Sequence, residues 1–364
     1  MATRRQALKW TAAAAAGAAL ARPADVLAQA SRATDETTAQ HLHEFILQRA
    51  LDGSDPWLEM HVVLALGAQI ENQRGNVLDQ AVAQALELSP AGFRRVPHFP
   101  LPVERHPFHF LQVMQARNVP LDRAFVTPEG RFTHGEILDG SEALLVPADI
   151  PDELSWVVSV LTRAFPPSND TYTNAKGEKV VVSQLVARHL RETESAYAGT
   201  IAAMEGKALY KRGPLHTKAC NGTHLLYGLI DAVAAGYEVD DLKSRVARLI
   251  AATLFRVKVE PLLIDKSLPG DLPMVRLNAD AAKFTFLGHV IEDLGQANRL
   301  KVLNPTAEQM KVIEQARLDI GRLIDRLAGE HDLDALKAEV PNAYRVLLGD
   351  SCHAYRGMEL WLRA

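Results

Sequence analysis

From Val180 to the C-terminus, nearly every apolar run in this chain has the three-to-four-residue spacing of a helix face, and the runs come in pairs broken by Gly or Pro. Strand signals are sparse. The spacing predicts helices over Val180–Met204 and Thr223–Ala235, the latter ending at Gly236. It predicts others over Asp240–Val259 up to Pro261, Asn278–Leu294 up to Gly295, and Thr306–Leu327. Two short helices, Pro341–Leu347 and Ser351–Leu362, close the chain. Earlier, Asp55-Pro56-Trp57 opens a helix with an acidic N-cap and a first-turn proline. Another helix runs from Ile150-Pro151-Asp152 to Phe165, where Pro166-Pro167 stops it. The proline-rich stretch 87–107 reads as a long irregular connection, and 166–179 as a small hairpin or a lid. The fold class expected is all-α, built from helical hairpins.

Histidine placement sharpens this. His61, His109, His224, His289 and His353 each fall near the start or middle of a predicted helix, the last three at intervals of about sixty-five residues. Such hairpins stack into a solenoid or close into a ring. The pattern resembles the α/α-toroid proteins, and the resemblance implies a toroid or incomplete ring whose inner helices aim polar residues into a central cavity. Residues 31–364 are expected to form this single domain.

The N-terminus carries a different pattern. Thr3-Arg4-Arg5-Gln6-Ala7-Leu8-Lys9 resembles the twin-arginine export signal, with Ala7 in the place of Phe, and an alanine-rich run from Trp10 to Ala21 follows. Ala28-Gln29-Ala30 has the small-x-small form of a peptidase site. The resemblance implies a signal peptide over residues 1–30, export of the folded protein through the twin-arginine machinery, and a periplasmic location. A cofactor acquired before export is common among such cargo.

Composition narrows the partners. Apolar residues make up 48% and charged residues 23% of the chain, with a net charge of −4. Removing the leader makes the balance more acidic still, so nucleic acid, which needs a basic face, is not expected. No run supplies the 18 or so apolar residues of a stable membrane span. Aromatic residues are 6%, few for a long sugar-stacking cleft. No phosphate-loop, dinucleotide, c-type haem, nucleophile-elbow or H-E-x-x-H motif occurs. A small molecule, a peptide or a saccharide remains as substrate.

The working centre is expected in His216–Tyr227, HTKACNGTHLLY. On a continuous helix, His216, Cys220 and His224 would share one face and present three metal donors. The second cysteine lies in Asp350-Ser351-Cys352-His353. A cysteine of an inner helix with a distant Cys-His pair is similar to the zinc site of lanthionine cyclases, which are also α/α toroids. Ala354 stands where that family has glycine after the pair. The resemblance implies Cys220, Cys352 and His353 as zinc ligands, with a fourth position open. Zinc in such a site lowers the pKa of water or of a substrate thiol, and His224 or His289 would shuttle protons. The alternative is a disulfide between Cys220 and Cys352, which an oxidising compartment favours.

Other pairings stay open. His289 shares a helix face with Glu292 and Asp293, as an acid/base or metal pair or as an oriented core histidine beside solvated carboxylates. His61 and His109, on apolar faces, are expected to be hydrogen-bonded core residues, and His41 and His43 to lie at the surface. Some α/α-toroid polysaccharide lyases neutralise a uronate with Asn or Arg and move protons with His and Tyr. On that resemblance Asn221, His224 and Tyr227 would line one wall, with Tyr355 and Arg356 nearby. A non-catalytic helical-repeat binding protein with a structural disulfide is the third reading.

Overall fold

In the computed structural model, residues 23–51, 55–150, 154–270 and 272–363 are described, with side chains from Arg32 onward. The Thr3–Lys9 motif lies outside the described residues; Ala28–Ala30 falls within the first described helix, α1 (Pro23–Arg49). Then follow α2 (Pro56–Leu66), a short β1–β2 pair (Glu71–Asn72, Gly75–Asn76), α3 (Val77–Ala85) and the hairpin β3–β4 (Glu87–Ala91, Arg94–His98). The chain continues through α4 (Leu101–Glu104), α5 (His109–Ala116), the hairpin β5–β6 (Ala124–Thr127, Gly130–Thr133) and α6 (His134–Leu144). Next come α7 (Ser155–Ala164), the hairpin β7–β8 (Thr171–Thr173, Lys179–Val181) and α8 (Val182–Met204). The C-terminal part is α9 (Leu225–Ala234), α10 (Leu242–Ser267), α11 (Pro273–Arg299), α12 (Ala307–Gly329), α13 (Leu333–Glu339) and α14 (Pro341–Leu362). The strands form only isolated antiparallel pairs, and the fold is all-α.

Local chemistry sets the helix starts. Asp55 accepts the amide of Trp57 at 3.0 Å, with Pro56 at the first helical position. Thr306 and Gln309 form a reciprocal capping box that starts α12. Three expected boundaries are overturned. Pro261 lies inside α10, and α11 runs through Gly295 to Arg299. Gly295 is retained for packing, since a methyl there would sit 2.9 Å from Leu360. The two closing helices are one, α14, continuous through Gly349. Stretch 87–107 is largely ordered: Pro90 and Pro97 fall in a hairpin, Pro100 and Pro102 cap and open a helical turn, and only Pro107 lies in the connection to α5.

The central pair is α11 and α14, with α1 and α2 packed on α14, α12 on α11, and α7–α9 and α8–α10 beside them. Both central helices are buried on nearly all faces over 286–297 and 347–360, yet carry His289, Glu292, Asp293, Gln296, Asp350, His353, Arg356 and Glu359 there. An all-round buried helix normally reads as apolar. Close approach is bought with missing side chains: a methyl on Gly357 would lie 2.7 Å from the amide nitrogen of Glu292, and one on Gly349 2.6 Å from the Trp57 indole. These contacts draw α11, α14 and α2 together at the level of their histidines.

Candidate metal centre

Six of the 13 histidines face one another across a cavity of about 250 Å³, lined also by Trp57, Trp156, Arg105, Cys220 and Asp350. His61 comes from α2, His106 and His109 from α5 and the turn before it, His224 from the N-cap of α9, His289 from α11 and His353 from α14. Ring centroids are 4.2 Å apart for His289–His353, 4.5 Å for His224–His289, 4.7 Å for His61–His109 and 5.0 Å for His61–His353. Larger clefts exist, one of 750 Å³ beside Arg49 and Tyr344, but none of the six histidines lines it.

Three of the histidines are aimed by hydrogen bonds from behind the ring. His61 Nδ1 bonds the Trp57 carbonyl at 2.7 Å, and His289 Nδ1 the Thr285 carbonyl at 2.7 Å, one helical turn back. A carbonyl only accepts, so both rings carry the proton on Nδ1 and leave Nε2 with its lone pair. His353 Nδ1 meets Glu292 Oε2 at 2.5 Å. Such Nδ1 anchoring to carbonyl or carboxylate is how metal-binding imidazoles are held. His109 is 1% exposed and neither ring nitrogen has a partner; His289 Nε2 has none within hydrogen-bonding distance either. Buried nitrogens of this kind normally cost stability.

The turn that presents His106 and His109 is built by Glu104. Its carboxyl accepts the amides of Phe108 at 2.9 Å and Phe110 at 3.2 Å, while Arg105 and Phe108 take left-handed backbone. Cys220 and Asn221 are left-handed too, at φ 47° and 57°, an uncommon state for residues with side chains. That loop is tied down from α10. Arg256 donates to the Asn221 carbonyl at 2.9 Å and pairs with Glu260, which also receives His216 and Tyr210.

Burial keeps the imidazoles neutral: His61 is pushed down to about 3, His289 to about 4, and His109, His224 and His353 well below the usual histidine range, each chiefly by loss of hydration. The same burial raises Asp350 to about 7 and Glu292 to about 8, and holds Asp293 well above its ordinary value. Neutral imidazoles are the metal-binding form. Cys220 Sγ and one nitrogen each of His224 and His289 lie within 4.8 Å of one another, close enough to share an ion.

Several expected site residues are elsewhere. The segment 214–222 is two 3-10 turns with a kink, not a helix, so His216 leaves the Cys220 face; its Nδ1 accepts the Gly213 amide at 3.1 Å and its Nε2 donates to Glu260. Cys352 is buried with its thiol pKa raised by desolvation and does not line the cavity, because successive residues on a helix point about 100° apart and His353 takes the inward position. Both cysteines are thiols, so the disulfide is not formed. Tyr227 is fully buried behind Trp156, 5.2 Å ring to ring, and does not line the cavity either. His289 faces Asp350 Oδ1 at 3.7 Å rather than pairing with Glu292, which serves His353. His61 and His109 line the cavity, and His109 lacks the hydrogen bond expected of a core histidine. His106 and Asp350 were not anticipated; the three-residue step from His106 to His109 across Pro107-Phe108 was the available signal for the first.

No model of a known protein family, no curated protein and no solved structure matches this chain.

Proposed function

We propose that this chain is an exported metalloenzyme in which Cys220, His224 and His289 hold a zinc ion and the remaining position opens into the histidine-lined cavity. The single observation that carries the reading is the approach of one sulfur and two neutral imidazoles to within 4.8 Å at the wall of a polar pocket. Three protein donors with one position left for water or substrate is the arrangement of a catalytic zinc site. Blue-copper sites also use His₂Cys but add a weak axial donor, usually methionine, and no methionine lines this cavity.

Zinc there supplies Lewis acidity, polarising a carbonyl or acidifying water. The protein's own part is to fix the ligands, exclude bulk water with Trp57 and Trp156, and offer the Asp350 carboxyl beside His289 as a proton acceptor. The volume of about 250 Å³ has room for roughly eight waters at about 30 Å³ each, so the substrate is a small molecule rather than a polymer. Saccharide lyase action is not favoured, since Arg356 is buried in an ion pair with Glu359 instead of standing free beside Tyr227. A purely binding scaffold is not favoured by the convergence of buried, neutral histidines from five helices. The Thr3–Lys9 pattern supports export by the twin-arginine route, and no described helix is long and apolar enough to cross a membrane.

The test is metal content of the full chain purified without a histidine tag. Wild type is expected to retain zinc through dialysis, and Cys220→Ser and His289→Gln each to hold one equivalent less. Equal zinc in all three proteins, or none in wild type after zinc loading, overturns the reading.

A further inference from the structure

We infer that the cavity is a two-ion centre, with a second late first-row transition-metal ion held by imidazole alone from His61, His109 and His353. The inference rests on the Cys220 reading only in sharing its cavity; the donors are different. His61 lies 4.7 Å from His109 and 5.0 Å from His353, centroid to centroid. Two imidazoles bound through Nε2 at about 2.1 Å to one tetrahedral ion have centroids about 5 Å apart. Both pairs through His61 have that ring spacing, and His109 has still to turn, since the donor atoms of these three rings do not converge within 4.8 Å as those of Cys220, His224 and His289 do.

The protonation pattern fits as well. His61 Nδ1 donates to a backbone carbonyl, so Nε2 is the nitrogen left to bind. His353 Nδ1 and Glu292 share one proton across 2.5 Å. A cation in the cavity favours the ionised carboxylate with the proton on Nδ1, which frees Nε2. His109 is the member left to turn: its ring is buried with both nitrogens unpartnered, and a coordinate bond would satisfy one of them. Imidazole-only sites suit zinc, copper, iron and nickel rather than calcium or magnesium.

His353 links the halves, lying 4.2 Å from His289 on one side and 5.0 Å from His61 on the other. Three neutral donors leave the second ion's charge uncompensated. The buried carboxyls of Glu292 and Asp350, whose presence in an apolar core is otherwise costly, supply the balance. Two ions held there would stabilise the attacking and leaving oxygens of a displacement together, so the substrate class is a small ester or phosphoryl compound.

The experiment is a titration of the metal-free, full-length, untagged chain with Co²⁺, following visible d–d absorption and the near-ultraviolet thiolate-to-cobalt band. Wild type should take two equivalents, one of them developing the thiolate band. His61→Gln and His109→Gln should each take one and keep that band, whereas Cys220→Ser should take one without it. Saturation of wild type at one equivalent overturns the second site, as does retention of two by both histidine variants. Two equivalents in wild type with no thiolate band would sink the Cys220 reading and leave the imidazole site standing. The wild-type stoichiometry decides the question even if a variant fails to fold, which circular dichroism of each protein reports.

Discussion

The imidazole rings of His289 on α11 and His353 on α14 lie 4.2 Å apart at a mutual tilt of 32°, deep inside the helix pair on which the rest of the fold packs. Neither ring bonds the other. Each is held from behind, His289 by the Thr285 carbonyl and His353 by the Glu292 carboxyl, so that both turn inward on a shared space. Cores place a polar pair like this only where something is gained for the desolvation spent.

If His109 is there to bind, the empty protein is destabilised by it. His109→Leu removes two buried, unpartnered nitrogens at similar volume and should stabilise the metal-free fold by about 1–2 kcal/mol, while abolishing uptake of the second ion. Denaturant unfolding in chelator checks this. A clear loss of stability would mean the ring does structural work instead.

Close approach of the central helices depends on Gly357, where a methyl would meet the Glu292 amide at 2.7 Å and the Ile291 carbonyl carbon at 2.9 Å. Gly357→Ala should cost about 1–3 kcal/mol through overpacking and weaken metal binding by moving His289 from His353. Unchanged thermal stability together with unchanged metal affinity would contradict this view of the crossing.

The Cys220 loop hangs on Arg256, whose side chain is fully buried against Glu260 and the Asn221 carbonyl. Arg256→Ala should destabilise the protein by about 3 kcal/mol, because Glu260 keeps His216 and Arg212 but loses its buried guanidinium. Chemical denaturation of the variant measures it; a cost under about 0.5 kcal/mol, typical of a surface pair, would refute the tether.

Acid and base act on the metal-free protein in opposite senses. The depressed histidines, His61 at about 3 and His289 at about 4, bind protons in the unfolded chain first; their contribution is full above about 6.5 and lost as pH falls toward 4. The raised carboxyls, Asp350 at about 7 with Glu104 and Glu292 at about 8, hold protons in the folded chain that the unfolded chain has released. Between pH 6.5 and 8.5 these carboxyls and that of Glu142, also raised to about 7 by burial, lose their protons in the folded chain, so the melting temperature in chelator should fall across that window. Direct melting scans test it, and a rise would show that the carboxyls are ionised in the native state.

Much of the helical architecture was legible because its causes are local. The Asp55-Pro56 start and the Thr306 cap act within a turn of chain, and apolar spacing marks α8 and α12. Where packing decides, local rules misled: Gly295 and Gly349 resemble stops but are the points where α11 and α14 meet their neighbours. The recurrence of His61, His109, His224, His289 and His353 pointed to the cavity, since one inward position per helix survives the periodicity. The partner of each did not show. Asp350 reaches His289 across a helix crossing, Glu292 serves His353 rather than the histidine on its own face, and the inward turn of His353 in place of Cys352 is a rotation about α14. The kink at Cys220 and Asn221, which detaches His216, depends on the distant Arg256.

X-ray absorption at the zinc edge of the zinc-loaded, untagged protein tests the centre most directly. With the Cys220–His224–His289 site filled, the spectrum should contain one sulfur at about 2.3 Å and nitrogen at about 2.0–2.1 Å, and the sulfur contribution should vanish in Cys220→Ser. A shell of nitrogen and oxygen alone in the wild type, unchanged by that substitution, would contradict the assignment.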